Sequence, residues 1–443
     1  MTELLTAIQN LQLDSKTKGF PMVGGSIRLG DIGAKNWSVP RGDLMLPALI
    51  IRDANLHNNL DTMRRFAEHH GVSLAPHGKS SFSPQLYREQ IDIGGAWGIS
   101  AATVQQATLV AEAGVPNVLI VNEVVGRANI EQLVSLRHAH PEKRFFSLVD
   151  SDAALEQLAK HGASLLLPEE RFQILLEVGF PGGRAGVRTR EQGAALLKSI
   201  GRRATQFELV GVECYEGLVT RDTPEATITE VDRLLDLTVD LYQSARDNAA
   251  FTRSGEGILT AGGSAYYDRV IERFRLANLG PDTRIVLRGG SSLTYDHGFY
   301  DHYLELMDSR AGLQMPEGRL SARTTFTPAL ELWAAVVTLQ DPGVAVVGMG
   351  IRDLPYDLGY PKPLRQYRDG NAIQNLNDGG GAFKIVNSND QHCYLTYPEG
   401  ADIQVGDLIA FGISHPCTAF DKWSIVYRVD EDLTVTGAVK TFF

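Results

Sequence analysis

Between about Leu46 and Ser292 the chain repeats one pattern: a short apolar run, then a longer amphipathic stretch. The runs have strand length and the stretches carry the 3.6-residue period of a helix. "LPALIIRD" is extended, and "NLHNNLDTMRRFAEHHG" is amphipathic and stops at Gly71, a residue suited to ending a helix. Eight more runs follow: "VSLAPHGK", "GGAWGISA", "NVLIVNEV", "FFSLVDS", "FQILLEVG", "FELVGVECYEG", "GILTAGGS" and "TRIVLRGGSS". Helical stretches such as "TVQQATLVAEAG" and "TITEVDRLLDLTVDLYQSARDNA" separate them. Strands joined by helices pair in parallel, and helices then cover the sheet. Eight such units predict an α/β fold, a closed (β/α)8 barrel; an open doubly wound sheet is the alternative.

After about residue 320 the texture changes. "ALELWAAVVTLQDPGVAVVGMG", "GGAFKIVNSNDQHCYLTYPEG", "VGDLIAFGIS" and "WSIVYRVDEDLTVTGAVKTFF" read as short strands without helical period. "DPG", "NDGGG" and "YPEGAD" supply turn chemistry between them. The expected organisation is an N-terminal segment, 1–45, that joins the β domain, a barrel over 46–320, and a C-terminal β domain over 321–443. A chain of 443 residues exceeds what one core usually organises, and 43% hydrophobic residues suffice for two. The net charge of -11, with no basic run interleaved with aromatics, speaks against nucleic acid as a partner. No apolar run approaches the roughly 18 residues of a membrane span. The first twenty residues lack the basic-then-apolar order of a secretory leader. Cys214, Cys393 and Cys417 are too dispersed for a disulfide framework, so a cytoplasmic protein with a small-molecule substrate is expected. Cys214 and Cys393 read as small core residues. His69, His70, His138, His140 and His161 fall on helical stretches and read as solvated.

Barrel chemistry gathers at the carboxyl ends of the strands. "LAPHGKS" puts His77 and Lys79 there, two residues apart and therefore on one face. A lysine partly desolvated in a barrel mouth is an amine nucleophile, and its natural electrophile is an aldehyde such as pyridoxal phosphate. Spacing alone equally allows a surface lysine at a strand end. "GILTAGGSAYYD" and "TRIVLRGGSSLTYD" end in small, glycine-rich loops suited to a phosphate: Gly262, Gly263 and Ser264 on the first, Gly289 and Gly290 on the second. Two ordinary tight turns are the alternative. In "GVECYEG", Glu213 and Tyr215 share a face, and a carboxylate against a pyridine nitrogen keeps that nitrogen protonated. Pairing of Glu213 with Arg184 or Arg188 competes with that role. One of those arginines suits a substrate carboxylate or a phenolate oxygen, and the other a structural ion pair. In "FGISHPCTAFDKW", His415 and Cys417 are also two apart, and imidazole with thiolate is a good divalent-metal pair that leaves positions open. A buried cysteine beside a hydrogen-bonded histidine has the same spacing.

Taken in order, "APHGKS", "GRAGVRT", "GVECYEG", "TAGGS", "DHGFY" and "SHPC" resemble the D-threonine aldolase/D-serine dehydratase family. These are fold-type III pyridoxal-phosphate enzymes with an alanine-racemase-like barrel. "LTYDHGFYDHY", "GMGIRDLPYDLGYP" and "AFGISHPCTAFDKW" are most similar to its bacterial amino acid deaminase or D-serine deaminase-like branch. The resemblance runs from about Leu46 to the C-terminus. It implies that Lys79 takes the cofactor's aldehyde, that Gly262 to Ser264 hold its phosphate, and that His415 and Cys417 bind a divalent metal facing the substrate's β-hydroxyl. His77, Arg184, Arg188, Glu213 and Tyr215 complete the expected cofactor site. In the family His-x-Cys accompanies zinc and dehydration, whereas an acid in place of the cysteine accompanies manganese in some aldolases. Cys417 thus implies zinc rather than manganese, and dehydration of D-serine or D-threonine to a 2-keto acid and ammonia. Retro-aldol cleavage is the nearest alternative; an amino acid racemase and a non-catalytic cofactor carrier are others. A head-to-tail homodimer is also implied. The family often has Arg-Pro-His before the lysine and Thr-His after it; here Ala75, Pro76 and His77 precede and Ser80 and Ser81 follow. "RGGSS" departs as well, and these changes bear on substrate preference.

Overall fold

The computed structural model describes residues 2–21, 25–248, 250–251, 256–377 and 381–443; the middle of the "NDGGG" turn lies outside them. Eight strands pair side by side in chain order: Ser73–Leu74, Ile99–Ala101, Asn117–Glu123, Arg144–Val149, Phe172–Val178, Phe207–Cys214, Gly257–Ala261 and Thr283–Leu287. Every pairing among them is parallel, and the last strand returns to the first. The first strand is short, but its extension closes the ring. Ser100 N donates to Pro76 O at 2.9 Å and Gly78 N donates to Ser100 O at 2.8 Å, so His77 bridges Ser100 in parallel. The predicted barrel is therefore present.

Its interior follows from the two-residue period of a strand. Ala75, Leu119, Phe146, Leu148, Leu175, Val210, Ile258 and Val286 meet inside and plug the barrel. Towards the carboxyl ends polar groups replace them: Glu123, Glu177, Glu213 and Arg288. A larger apolar layer lies between the strands and the surrounding helices. Cys214 and Cys393 are fully buried, as expected of core residues.

The second domain is an antiparallel-rich sheet built around Leu330–Thr338, which pairs with Leu408–Gly412 and Val344–Val347. The "ALIIR" run belongs to this sheet and not to the barrel. Ala48–Arg52 pairs antiparallel with Leu330–Thr338 and parallel with Ile425–Val429, and its first four residues are buried. Ile8, Phe20, Leu29 and Ile32 of the N-terminal segment pack against Trp333, Ala410 and Tyr427 of the same domain. One short helix, Ala322–Thr325, falls just past the residue where helical period was expected to end. Asn59, wholly buried on the Asp53–His70 helix, fastens the two domains. Its Nδ2 donates to Thr327 O at 2.8 Å, and Thr327 N donates to its Oδ1 at 2.9 Å. Among the described residues no helix is long and apolar enough to cross a membrane.

Candidate active site

Gly78 explains why the "HGK" stretch takes its path. A Cβ there would lie 2.7 Å from the Tyr87 ring, and the Tyr87 hydroxyl donates to Gly78 O at 3.0 Å. The chain thus presses against the Pro84–Asp92 helix and turns Lys79 into the barrel mouth, where Lys79 N donates to His77 Nδ1 at 3.3 Å. Desolvation lowers the Lys79 ammonium below its ordinary value; the Cys417 sulfur opposes this and the Arg184 charge adds to it. Burial, and then the charges of Lys79 and Arg288, hold His77 well below an ordinary histidine, so its ring is neutral.

The "DHGFY" and "ISHPC" segments are laid together by backbone hydrogen bonds. His297 N donates to Ile413 O at 2.9 Å and Phe299 N to Ser414 O at 3.1 Å. Asp296 accepts from Gly298 N at 2.8 Å and Tyr300 N at 2.9 Å, capping the Phe299–Arg310 helix. This joint carries His415 and Cys417 over the barrel mouth. Ser80 Oγ lies 3.2 Å from Cys417 Sγ, one residue after Lys79. The amine and the imidazole–thiol pair, from separate domains, therefore face one space. Tyr300, whose ring centroid is 6.2 Å from that of His415, borders it; burial and the Cys417 sulfur keep its phenol protonated.

His415 Nδ1 is 2.7 Å from Asp357 Oδ2, and Thr418 Oγ1 donates to Asp357 Oδ1 at 2.7 Å. The carboxylate fixes the ring and leaves Nε2 for a ligand. Burial disfavours the charged ring, but Cys417 and Asp357 outweigh it and raise His415 to about 8. Burial likewise works against a Cys417 thiolate, and His415, Ser80 and Lys79 overcome it, lowering the thiol below its ordinary value. An oriented imidazole beside a stabilised thiolate fits a borderline divalent ion such as zinc. Among the described residues no group of three or more His, Cys, Asp or Glu gathers as a metal site.

The glycine loops fit a phosphate, through donors partly different from those expected. Gly262 N and Gly263 N are taken by the Glu216 carboxylate, at 3.1 and 2.7 Å. Ser264 Oγ accepts from Ser291 N at 3.1 Å and is 2.7 Å from Ser291 Oγ, which ties the two loops together. Among the described residues the N–H groups of the buried Ser264 and Ala265, and that of the half-buried Gly290 opposite, find no acceptor. Buried amides without acceptors suit an anion. Gly290 also lies so close to His77 that a Cβ would stand 2.6 Å from its carbonyl oxygen.

Glu213 lies inside the barrel, 1% exposed, and its partner is neither Arg184 nor Arg188. Arg288 Nη2 sits 2.7 Å from Glu213 Oε2 and 2.9 Å from Cys214 O, while Nη1 donates to Thr260 Oγ1 at 2.9 Å. Burial raises the Glu213 carboxyl and Arg288 pulls it down. Arg184 lies over the Tyr215 ring at 5.0 Å, and its charge bears on Lys79 and His77. Arg188 instead donates to the carbonyls of Ala185 and Gly183 in its own loop. Asp357 and Tyr300 stand in stretches already conspicuous in the sequence. Arg288, Ser80 and Glu216 also stand in quoted stretches, "RGGSS", "APHGKS" and "GVECYEG", but nothing local marks their partners.

A lysine in the mouth of a parallel barrel, facing acceptor-free amides and a histidine–cysteine pair, fits pyridoxal phosphate. Residues 51–268 match the alanine racemase N-terminal domain, and residues 329–429 match the putative serine dehydratase domain. The chain belongs to the family that joins these two domains, the D-threonine aldolase/D-serine dehydratase family, and is a pyridoxal-phosphate-dependent lyase. It is 24% identical over 332 residues to a 3-hydroxy-D-aspartate aldolase of Paracoccus denitrificans, covering 72% of this chain and 75% of that one. In fold it is similar to a D-threonine aldolase from Filomicrobium marinum, with a TM-score of 0.69 and 23% identity over 90% of this chain and 95% of that one. A D-threo-3-hydroxyaspartate dehydratase variant, solved in a metal-free form, gives a TM-score of 0.68 and 22% identity over 92% and 99% of the two chains.

Proposed function

We propose that the protein is a dehydratase of D-β-hydroxy amino acids, releasing a 2-keto acid and ammonia, with pyridoxal phosphate at Lys79 and zinc at His415 and Cys417. The observation that carries this reading is the 3.2 Å approach of Ser80 to Cys417, which sets the Lys79 segment against the metal pair. When bound, pyridoxal phosphate is an electron sink for the substrate's α-carbon and the metal is a Lewis acid for its β-hydroxyl. Lys79 Nζ, with its lowered pKa, serves as nucleophile and then as the base that receives the α-proton. Arg184 binds the substrate carboxylate at the mouth. Asp357 holds His415, and Tyr300 shields the metal pair from bulk water.

Retro-aldol cleavage by the same residues is the second reading, favoured by the likeness to an aldolase. Incubation with D-threonine separates the two: 2-oxobutyrate and ammonia mark the dehydratase, glycine and acetaldehyde the aldolase. Chelation should abolish turnover and added zinc restore it. Lys79→Ala should lose both the long-wavelength absorbance of bound cofactor and activity; retention of both would overturn the assignment.

A further inference from the structure

Glu216 follows the Phe207–Cys214 strand and is wholly buried. A carboxyl group so placed is costly unless it is fully engaged. Its two oxygens accept from two successive amides of the next loop, Gly262 N at 3.1 Å and Gly263 N at 2.7 Å. Both positions require glycine. Gly262 has φ +96, and a Cβ on Gly263 would lie 2.9 Å from the Tyr215 ring. The loop is thereby drawn against the neighbouring strand. The amides that come next, of Ser264 and Ala265, are buried and among the described residues have no acceptor. Ser264 Oγ meanwhile binds Ser291, fixing the spacing to the second loop.

We infer that Glu216 is a positioning residue for the cofactor's phosphate: by holding Gly262 N and Gly263 N it turns the Ser264 and Ala265 amides to the phosphate. Glu216 touches no reacting atom; it acts through the loop. Burial raises its carboxyl above the ordinary value, with the Gly262 and Gly263 amides and Arg288 opposing.

The inference rests on the pyridoxal-phosphate reading, and the test separates the two. Protein freed of cofactor is titrated with pyridoxal phosphate and with pyridoxal, which lacks the phosphate, and binding is read by fluorescence quenching. E216A should weaken pyridoxal phosphate by about tenfold or more, the scale of losing two charge-assisted hydrogen bonds, and leave pyridoxal within about twofold. E216Q, which keeps one acceptor, should fall between. If E216A does not fold, the ratio of the two affinities in E216Q decides. Equal loss for both ligands, or no loss for either, overturns the assignment of Glu216. If the unaltered protein binds neither ligand, the reading of the site itself fails.

Discussion

The carboxyl cluster inside the barrel allows a quantitative test by one substitution, Glu177→Gln. Glu177 lies on the Phe172–Val178 strand, in register with Glu213 on the next, and is hydrogen-bonded to Glu123. Burial first, then Glu213, Glu123 and Asp150, push its carboxyl from 4.5 up to about 11. At neutral pH the folded protein keeps this proton and the unfolded chain has released it. Stability is then greatest below about 4.5 and is lost steadily as pH rises towards about 11, because folding must take up a proton that becomes scarcer. Each pH unit in that window costs about 1.4 kcal/mol, which reaches about 3 kcal/mol at pH 7. Glutamine is neutral in both states, and its amide N–H replaces the acid O–H as donor to Glu123. E177Q should therefore be more stable than the unaltered protein at pH 7, by up to about 3 kcal/mol, and nearly equal to it near pH 4.5. Denaturant unfolding of both proteins between about pH 5 and 8, in the same cofactor state, measures the difference. A difference that does not grow with pH, or an E177Q protein less stable at neutral pH, refutes the assignment of a buried, protonated carboxyl.

Arg288→Met should destabilise the barrel by about 3–5 kcal/mol, since it leaves Glu213 buried without its cation. Adding E213Q should return part of the loss, and denaturant midpoints of the single and double variants check this. Asp357→Asn should weaken metal binding about ten- to a hundredfold, because the amide no longer fixes the His415 ring as a carboxylate does. Competition with a chromogenic zinc chelator reads the change, unaltered far-UV circular dichroism excludes unfolding, and an unchanged affinity removes Asp357 from the site.

Much of the barrel was legible because local pattern carries it. Each apolar run between Val72 and Ser292 has to be covered, and only helices long enough to do so lie between the runs. The lysine and the histidine–cysteine pair were legible because few residue types supply an amine nucleophile or a borderline metal donor. The Ala48–Arg52 strand was not placed by its pattern. A run buried on both faces reads the same in a barrel as in the centre of another sheet, and only its partners, Leu330–Thr338 and Ile425–Val429, distinguish the two. Gly262 and Gly263 were expected to donate to a phosphate, whereas Glu216 engages their amides. Nothing in "CYEG" announces that contact.

The sequence by itself determined the parallel barrel, the change to a β domain and the residue types able to do the chemistry, because these depend on period and on functional groups a few residues apart. The tertiary structure alone decided which groups neutralise one another. Glu213 could have met Arg184 or Arg188 and meets Arg288; Cys417 meets Ser80; Arg188 turns to its own loop. Charge compensation in a low-dielectric interior depends on distances of a few ångströms between residues far apart in the chain, and those distances exist only once the strands are in register and the second domain is seated on the barrel.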